Sequence, residues 1–257
     1  MRAFLFLPLL LAFGCGETKT YESTLDKVLD TKKLIVGTEP EFKRFETKNA
    51  DGEIVGFDMD LVRMLAEDLG VELVLREYSF QALIPALKNG KIDLIISGMT
   101  AKPKRAKTVT FTDPYFFTKL CLLVHKDAGI EKPADVDGKK VVVKLSTTGQ
   151  DRAKELFPNS EYVVLEAEAD CANEVASGRA AAFLYDHISI FEASKKHANT
   201  TRAIFESLSE EPYAMAVPLG DTKFRDRINV FLGKVRADGR YEKIVNKWMG
   251  DIPNAVR

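Results

Sequence analysis

The chain has 257 residues, which is enough for one large or two medium-sized domains, and its 46% hydrophobic and 29% charged residues are typical of a globular protein. The 37 basic and 38 acidic residues give a formal net charge of −1, and no cluster of Lys and Arg is interleaved with aromatic residues. The composition therefore gives no indication of a nucleic-acid partner.

The N-terminal segment differs from the rest of the chain. Arg2 precedes the apolar run AFLFLPLLLAF, which is too short to span a bilayer stably, and Gly14 and Cys15 follow it. This pattern predicts a signal peptide over residues 1–15 that ends at a lipid-bearing Cys15, as in bacterial lipoproteins. A cleaved secretory peptide without lipid is the alternative. The polar residues 16–31 are predicted to form a tether to the folded body.

The other cysteines and the histidines give no metal-site pattern. In an exported protein Cys121 and Cys171 are compatible with a disulfide, but each lies in an apolar or helical pattern that also suits a separate buried thiol. The three histidines are scattered along the chain, and no zinc spacing is present. We therefore expect neither a metal nor a cofactor.

Strand and helix patterns alternate from residue 34 to residue 97. The runs LIVG, VELVLREY and IDLIIS predict strands, and the segments GFDMDLVRMLAEDLG and FQALIPALKNG between them predict helices. In the first helix, Asp58 is predicted to cap the N-terminus and Gly70 to end the helix. The alternation predicts the α/β class with a parallel sheet.

A second α/β set occupies the middle of the chain. The runs KLCLLVHK, KKVVVKL and RAAAFLYD predict strands, and GQDRAKELF, DCANEVAS and ISIFEASKKH predict helices. YAMAVP predicts one more strand before two amphipathic helices, the second of which carries Trp248 as a core residue. Two α/β units would leave between them a cleft of the kind in which ligands bind.

The segment SGMTAKPKRAKTVTFTDPYF, residues 97–116, begins where a buried strand ends. The carboxyl edge of such a sheet is where open α/β folds bind ligands. Gly98 lets the backbone approach a bound group closely, and Arg105 provides a guanidinium suited to a carboxylate. From this segment alone, a surface loop whose arginine pairs with an aspartate is an equally good interpretation.

Several stretches, taken together over residues 32–250, resemble the extracytoplasmic solute-binding proteins of polar amino-acid ABC importers (solute-binding protein family 3, and among them the glutamine-binding proteins). These stretches are LIVGTEPEF, GEIVGFDMDLVRMLAEDLGVELVL, LIPALKNGKIDLIISGMT, KPKRAKTVTFTDPYF, GRAAAFLYD and GRYEKIVNKWMG. The resemblance implies a type II periplasmic-binding-protein fold, in which two α/β lobes are joined by a two-stranded hinge with the ligand cleft between them. It places the first lobe at 32–117 and 213–257 and the second lobe at 118–212.

The resemblance also implies a set of ligand-binding residues. Arg105 matches the residue that binds the ligand α-carboxylate, and Asp186 matches the acceptor of the α-ammonium group. The other matching positions are Phe42 and Phe80 as aromatic walls, Gly98 and Thr100 in the first lobe as backbone and hydroxyl donors to the ligand α-carboxylate, and Thr147 and Thr148 as opposing donors at the strand-to-helix turn of the second lobe. Ser146 stands where the family often has glycine, which affects that turn.

Specificity rests on two further positions. Glu39 matches a position often held by aspartate, and Lys144 matches a lysine of glutamine-binding proteins; together they favour a neutral amide side chain over a cationic one. The alternative is that Glu39 and Lys144 pair with each other. The family often shows Pro-Phe after the first aromatic residue, whereas this chain has Lys43 and Arg44 there, so the shape of the pocket mouth is left open.

The resemblance implies binding rather than catalysis. The lobes of a monomer would close over a free L-amino acid, glutamine being favoured, and present it to a membrane permease and ATPase of an ABC transporter. The expected location is periplasmic or extracytoplasmic, with a lipid anchor or, alternatively, as a secreted soluble protein. Two other functions stay open: an enzyme of the same fold, such as a cyclohexadienyl-type dehydratase, and a ligand-sensing partner of a signalling receptor.

Overall fold

The structure is a computed structural model that describes residues 19–252. Its α-helices are α1 (Thr24–Thr31), α2 (Phe57–Leu69), α3 (Phe80–Lys88), α4 (Pro103–Ala106), α5 (Thr148–Leu156), α6 (Glu168–Ala176), α7 (His187–Lys196), α8 (Thr222–Ala237) and α9 (Arg240–Met249). Its strands are β1 (Lys33–Thr38), β2 (Glu41–Phe42), β3 (Glu46–Lys48), β4 (Ile54–Val55), β5 (Glu72–Glu77), β6 (Leu94–Ile95), β7 (Val109–Phe111), β8 (Phe116–His125), β9 (Lys140–Lys144), β10 (Glu161–Leu165), β11 (Ala182–Asp186), β12 (Thr201–Ile204), β13 (Glu210–Tyr213) and β14 (Ala216–Pro218). The signal peptide and Cys15 lie outside the described residues.

The first lobe is built on a five-stranded sheet in the order β5, β1, β6, β14, β7. Its strands β1, β5 and β6 are parallel, as the βαβ pattern predicts, because α2 and α3 carry the chain back over the sheet between them. The strand β14 runs antiparallel to β6 and β7. The chain enters β14 from the second lobe, so this strand is not part of a βαβ crossover. Helices α2, α3, α8 and α9 and a small sheet of β2, β3 and β4 complete this lobe.

The second lobe is built on a sheet in the order β10, β9, β11, β8, β12, with α5, α6 and α7 packed against it. Strands β9, β10 and β11 are parallel, and β8 is antiparallel to β11 and β12. The central strands β9 and β11 are buried almost throughout, as their continuous apolar runs predict.

Two strands connect the lobes. The first residues of β8 pair with β13 in an antiparallel register, Phe116 opposite Tyr213 and Lys119 opposite Glu210. The rest of β8 continues into the sheet of the second lobe, whereas β13 leads directly to β14 in the first lobe. The predicted fold of two α/β lobes joined by a two-stranded hinge is therefore confirmed.

The prediction of a polar tether over residues 16–31 is wrong for residues 24–31. These residues form α1, in which Leu25 and Val28 are buried. The Oγ of Ser23 and the backbone N–H of Thr24 both donate to the carboxylate of Asp221, at 2.7 and 2.6 Å. The i, i+3 spacing of the two apolar residues gives this short helix a face that docks on the first lobe.

Two further predictions are settled by burial. Asp58 makes no N-cap hydrogen bond in α2; it is buried and bonds to groups outside the helix. Cys121 and Cys171 are separate buried thiols, and burial raises the pKa of each to about 12.

Within residues 19–252, none of the helices has both the length and the apolar composition that crossing a bilayer requires.

Candidate functional site

A small cavity of about 10 Å³ lies between the closed lobes. Much of its lining lies at or just after the carboxyl ends of β1 and β6 in the first lobe and of β9 and β11 in the second, which is the edge where α/β sheets bind ligands. Its lining consists of Glu39, Phe42, Glu46, Phe80, Ser97, Gly98, Thr100, Arg105, Thr147, Thr148, Tyr185 and Asp186. The structure thus brings together nine of the ten predicted ligand-binding residues; Lys144 is adjacent but does not line the cavity.

The turn after β6 requires glycine at position 98. Gly98 has φ of +49°, and a Cβ atom there would lie 2.3 Å from Cε1 of Phe42. This contact brings the Phe42 ring against the backbone, so that the ring forms one wall of the cavity. The Gly98 N–H donates to Asp58 Oδ2 at 2.9 Å, and the Thr100 hydroxyl donates to Glu211 Oε2 at 2.7 Å. Both predicted donors are therefore bonded to buried carboxylates of the protein.

Arg105 is held at the cavity by contacts to both lobes. Its side chain extends from α4, and the residue is 7% exposed. One terminal nitrogen donates to the Thr100 carbonyl at 2.9 Å, and the other donates across the cleft to the Ser146 carbonyl at 3.0 Å. The guanidinium carbon lies 5.1 Å from the centre of the Phe80 ring. Burial lowers the arginine pKa, but a guanidinium remains cationic in proteins.

The second lobe contributes the turn between β9 and α5. Thr147 caps α5: its Oγ1 accepts from the Gln150 N–H at 3.3 Å and donates to the Lys144 carbonyl at 2.7 Å. Thr148 is the first residue of this nine-residue helix and faces the cavity. Ser146 has φ of +63°, a left-handed conformation that explains why a glycine is common at this position in the family that the sequence resembles.

Asp186 ends β11 and is almost fully buried. The Tyr213 hydroxyl donates to its Oδ1. Burial, followed by the nearby carboxylate of Glu211, raises the pKa of Asp186 well above its usual range, while the hydrogen bond from Tyr213 and the charge of Arg105 oppose the shift. The cavity therefore places a cation on one lobe and a carboxyl group on the other.

Glu39 and Lys144 pair with each other across the cleft, as the alternative prediction stated. The Lys144 ammonium donates to Glu39 Oε2, and their side chains are 1% and 9% exposed. The second oxygen of Glu39 accepts from the Phe80 N–H at 3.1 Å, which also fixes the start of α3. The pair closes the cavity beside the Phe80 ring, with Lys144 behind Glu39.

Two more ion pairs join the lobes outside the cavity. The Arg44 Nε donates to Glu192 Oε1 of α7 at 2.9 Å, and the same guanidinium bonds to Asp251. Lys102 of the first lobe pairs with Asp151 of α5. Arg44 therefore connects the two lobes and is not part of the cavity lining.

Three lining residues were missed by sequence reasoning. Ser97 is the first residue of the segment 97–116, and Tyr185 directly precedes Asp186, but the sequence assigned a role to neither. Glu46 belongs to β3, a strand of three residues that carries no recognisable period, so no sequence signal identified it. Among the described residues, no group of His, Cys, Asp and Glu is arranged to hold a metal ion.

Comparison with known proteins agrees with this geometry. The family described as bacterial extracellular solute-binding proteins, family 3, matches residues 34–251. The arginine-binding extracellular protein ArtP of Bacillus subtilis (strain 168) is 33% identical over 220 residues, covering 84% of this chain and 86% of ArtP. The ABC transporter glutamine-binding protein GlnH of the same strain is 31% identical over 262 residues, covering 97% and 95%.

A solved structure of an amino-acid-binding protein is also similar to this chain. An ancestral arginine-binding protein bound to glutamine has a TM-score of 0.79 and 35% identity, and the match covers 86% of this chain and 99% of that one. The relatives named here thus include binders of a cationic and of a neutral amino acid at comparable similarity.

Proposed function

The chain belongs to the bacterial extracellular solute-binding proteins, family 3, and we propose that it is the substrate-binding component of an ABC importer for a free polar amino acid. One observation carries the proposal: Arg105 of the first lobe and Asp186 of the second meet at a single buried cavity. A free amino acid carries a carboxylate and an ammonium group on adjacent atoms. A fixed guanidinium and a fixed carboxyl group on opposite sides of the cavity complement both.

Binding would proceed by closure of the lobes about β8 and β13. In the structure, Arg105 donates to the carbonyls of Thr100 and Ser146, which are neutral acceptors. A ligand carboxylate would replace them with a charge-assisted, bidentate pair that is stronger. The exchange gives up the direct bond from Arg105 to Ser146 of the second lobe, so closure around the ligand would rest on the ligand's own contacts with Arg105 on one lobe and Asp186 on the other. The closed form is the one offered to a permease.

We propose glutamine, or another neutral polar amino acid, as the preferred ligand. Glu39 lines the cavity, and Lys144 behind it neutralises its charge, so this end of the cavity offers an acceptor but no net charge. An amide side chain can donate to Glu39 without bringing a charge. A cationic side chain would find the charge of Glu39 already paired and would place a second cation near Lys144 in a site with little water, which is unfavourable.

Isothermal titration calorimetry tests this preference. Protein freed of retained ligand by unfolding and refolding would be titrated with L-glutamine, L-arginine, L-lysine and L-histidine. We expect L-glutamine to bind at least about tenfold more tightly than the cationic ligands, which corresponds to about 1.4 kcal/mol. Tighter binding of L-arginine or L-lysine would overturn the specificity proposal and leave amino-acid binding in place.

We further propose that Cys15 carries a lipid that anchors the protein, as a monomer, to the outer face of a bacterial membrane. The support is the sequence alone: a basic start, a short apolar run and Gly14 before the cysteine. Cys15→Ser should release the mature protein into the soluble fraction of the cell envelope or the medium. Retention of this variant in the membrane fraction would contradict the anchor.

A catalytic role is not part of the proposal. The two charged groups best placed to act on a ligand, Arg105 and Asp186, are those that the α-carboxylate and α-ammonium groups of an amino acid would occupy. A dehydratase would instead need a proton donor or acceptor beside the ligand's ring. A substrate-turnover assay separates the two functions, since binding without product formation is expected here.

A further inference from the structure

Two carboxyl groups are buried together on the first-lobe side of the cavity, and one of them, that of Glu46, belongs to its lining. Glu46 and Asp58 are both completely shielded from solvent. Glu46 Oε1 accepts from the Ser97 hydroxyl at 2.7 Å, and Asp58 Oδ2 accepts from the Gly98 N–H at 2.9 Å and from the Tyr115 hydroxyl at 2.8 Å. Each acid thus fixes one of two consecutive residues, Ser97 and Gly98, that line the cavity.

Each of these acids has one oxygen atom that is bonded and one that is not. Glu46 Oε2 and Asp58 Oδ1 are buried and find no donor in residues 19–252. An ionised carboxylate buried with an unsatisfied oxygen is costly, and two such groups side by side are more so. A single proton placed between the two oxygens removes both problems, because it makes one group a donor to the other.

The surroundings of the pair support one retained proton. Glu46 faces Asp58, Ser97 and the carboxylate of Glu39, and Asp58 faces Glu46, the Gly98 N–H and Tyr115. No basic side chain of the described residues bonds to either group, and the charge of Glu39 is already taken up by Lys144. The pair therefore has hydroxyl and amide partners but no neutralising cation.

We propose that Glu46 and Asp58 share one proton as a hydrogen bond between Glu46 Oε2 and Asp58 Oδ1, and that this pair positions Ser97 and Gly98 for ligand binding. The positioning role rests on the proposed function, whereas the shared proton does not. Both acids act through other residues. Glu46 accepts from the Ser97 hydroxyl, and the Ser97 oxygen in turn accepts from the Glu39 N–H at 3.0 Å. Asp58 accepts from the N–H of Gly98, which lies against Phe42.

The titration behaviour expected of such a pair agrees with the geometry. Burial raises the pKa of Asp58 to about 6, and burial together with the charge of Asp58 raises the pKa of Glu46 well above its usual range. Two neighbouring carboxyl groups that are fully buried do not both ionise readily, so the pair loses its last proton only at higher pH. Loss of that proton would leave two like charges side by side at the first-lobe side of the cavity.

The first experiment detects the proton without any ligand. Infrared difference spectra would compare wild-type protein with Glu46→Gln and Asp58→Asn at about pH 6, a condition at which exposed carboxyl groups are ionised. Each variant should lose one protonated-carboxyl band, because its new amide N–H donates where the proton had been and its partner stays ionised. Glu41→Gln, a change of an exposed glutamate on neighbouring β2, is the control and should lose none. Unchanged bands in both variants would overturn the shared proton.

The second experiment tests the positioning role with L-glutamine as the probe, by calorimetry between about pH 6 and about pH 9. Wild-type affinity should fall by at least about tenfold on the alkaline side. Glu46→Gln mimics the protonated acid, so it should retain affinity within about threefold and flatten this alkaline decline, whereas Glu46→Ala should lose affinity at every pH. Equal losses in both variants would overturn the positioning role. The predicted infrared bands without any glutamine binding would confirm the shared proton and contradict the proposed ligand.

Discussion

Lys144 and Glu39 form an ion pair that crosses the cleft and is almost entirely shielded from solvent. Each residue belongs to a different lobe, so the pair exists only when the cleft is closed. A buried ion pair contributes little net stability, but removing one partner leaves an uncompensated charge and costs about 3 to 5 kcal/mol. This pair therefore connects lobe closure to the charge of the ligand side chain.

Replacing Lys144 with methionine should change which amino acid binds best. Glu39 would keep its negative charge without a partner, and a cationic ligand could supply one. We expect the affinity for L-arginine relative to L-glutamine to rise by at least about tenfold, or about 1.4 kcal/mol. Competition calorimetry measures this ratio.

The matched control is Lys140→Met, which removes an exposed lysine at the start of the same strand. It should leave the ratio unchanged, because exposed pairs are worth little. If Lys144→Met and Lys140→Met give the same ratio, Lys144 has no part in specificity.

Arg105→Ala should abolish or strongly weaken amino-acid binding while the protein stays folded. Truncating a buried partner of a charge-assisted pair costs about 3 kcal/mol, or more than a hundredfold in affinity. Calorimetry reports the affinity and circular dichroism reports the fold. Lys104→Ala, a change of an exposed lysine on the same short helix, is the control. Equal affinities of Arg105→Ala and wild type would refute the assigned carboxylate site.

Binding should release a proton from Asp186. Burial and the nearby carboxylate of Glu211 raise its pKa well above the usual range, which favours the protonated acid before a ligand binds. A ligand ammonium stabilises the ionised form and lowers that pKa. The affinity therefore rises with pH until the raised pKa of Asp186 is passed, an effect opposite in sign to the decline expected from the pair of Glu46 and Asp58.

Calorimetry in buffers with different ionisation enthalpies measures the number of protons released. We expect up to about one proton near neutral pH, the value for a single titrating group. Asp186→Asn should remove the release and weaken binding. Proton release that is unchanged in this variant would assign the titration to another group.

Glu192→Gln should favour the open form of the ligand-free protein. Arg44 pairs with Glu192 across the lobes, and both side chains are largely buried. Loss of this charge should weaken ligand affinity by about fivefold, or about 1 kcal/mol, and increase the radius of gyration measured by small-angle X-ray scattering. Glu174→Gln breaks a pair within the second lobe, with Arg179, and serves as the control. Identical scattering from both variants would show that Arg44 does not hold the lobes together.

The sequence predicts the regular parts of the fold well, because their periodicity follows from burial. The helix α2 lies where its apolar face predicts it and ends before Gly70 as expected, and the apolar runs of β9 and β11 are buried central strands. Elements of two or three residues, such as β2, β3 and β4, are too short to show a period. They are held by tertiary contacts and were not predicted.

The polar residues of the site also fall into two groups: those that a sequence pattern identifies and those whose role depends on distant contacts. Arg105 and Asp186 were identified because they match a family pattern, and both line the cavity. Asp58 looked like a helix cap, since an aspartate near a helix start suits the helix dipole. Its actual partners, the Gly98 N–H and the Tyr115 hydroxyl, are about 40 and 57 residues away along the chain, so a local pattern could not reveal them.

Thermal unfolding of ligand-free protein in the presence of each proteinogenic amino acid tests the central claim most directly. A ligand present at about a hundred times its dissociation constant adds about 2.7 kcal/mol to the free energy of unfolding. One or a few neutral polar amino acids, glutamine among them, should raise the midpoint by several degrees. If none of the amino acids shifts the midpoint of protein freed of retained ligand, the cavity between Arg105 and Asp186 is not an amino-acid site.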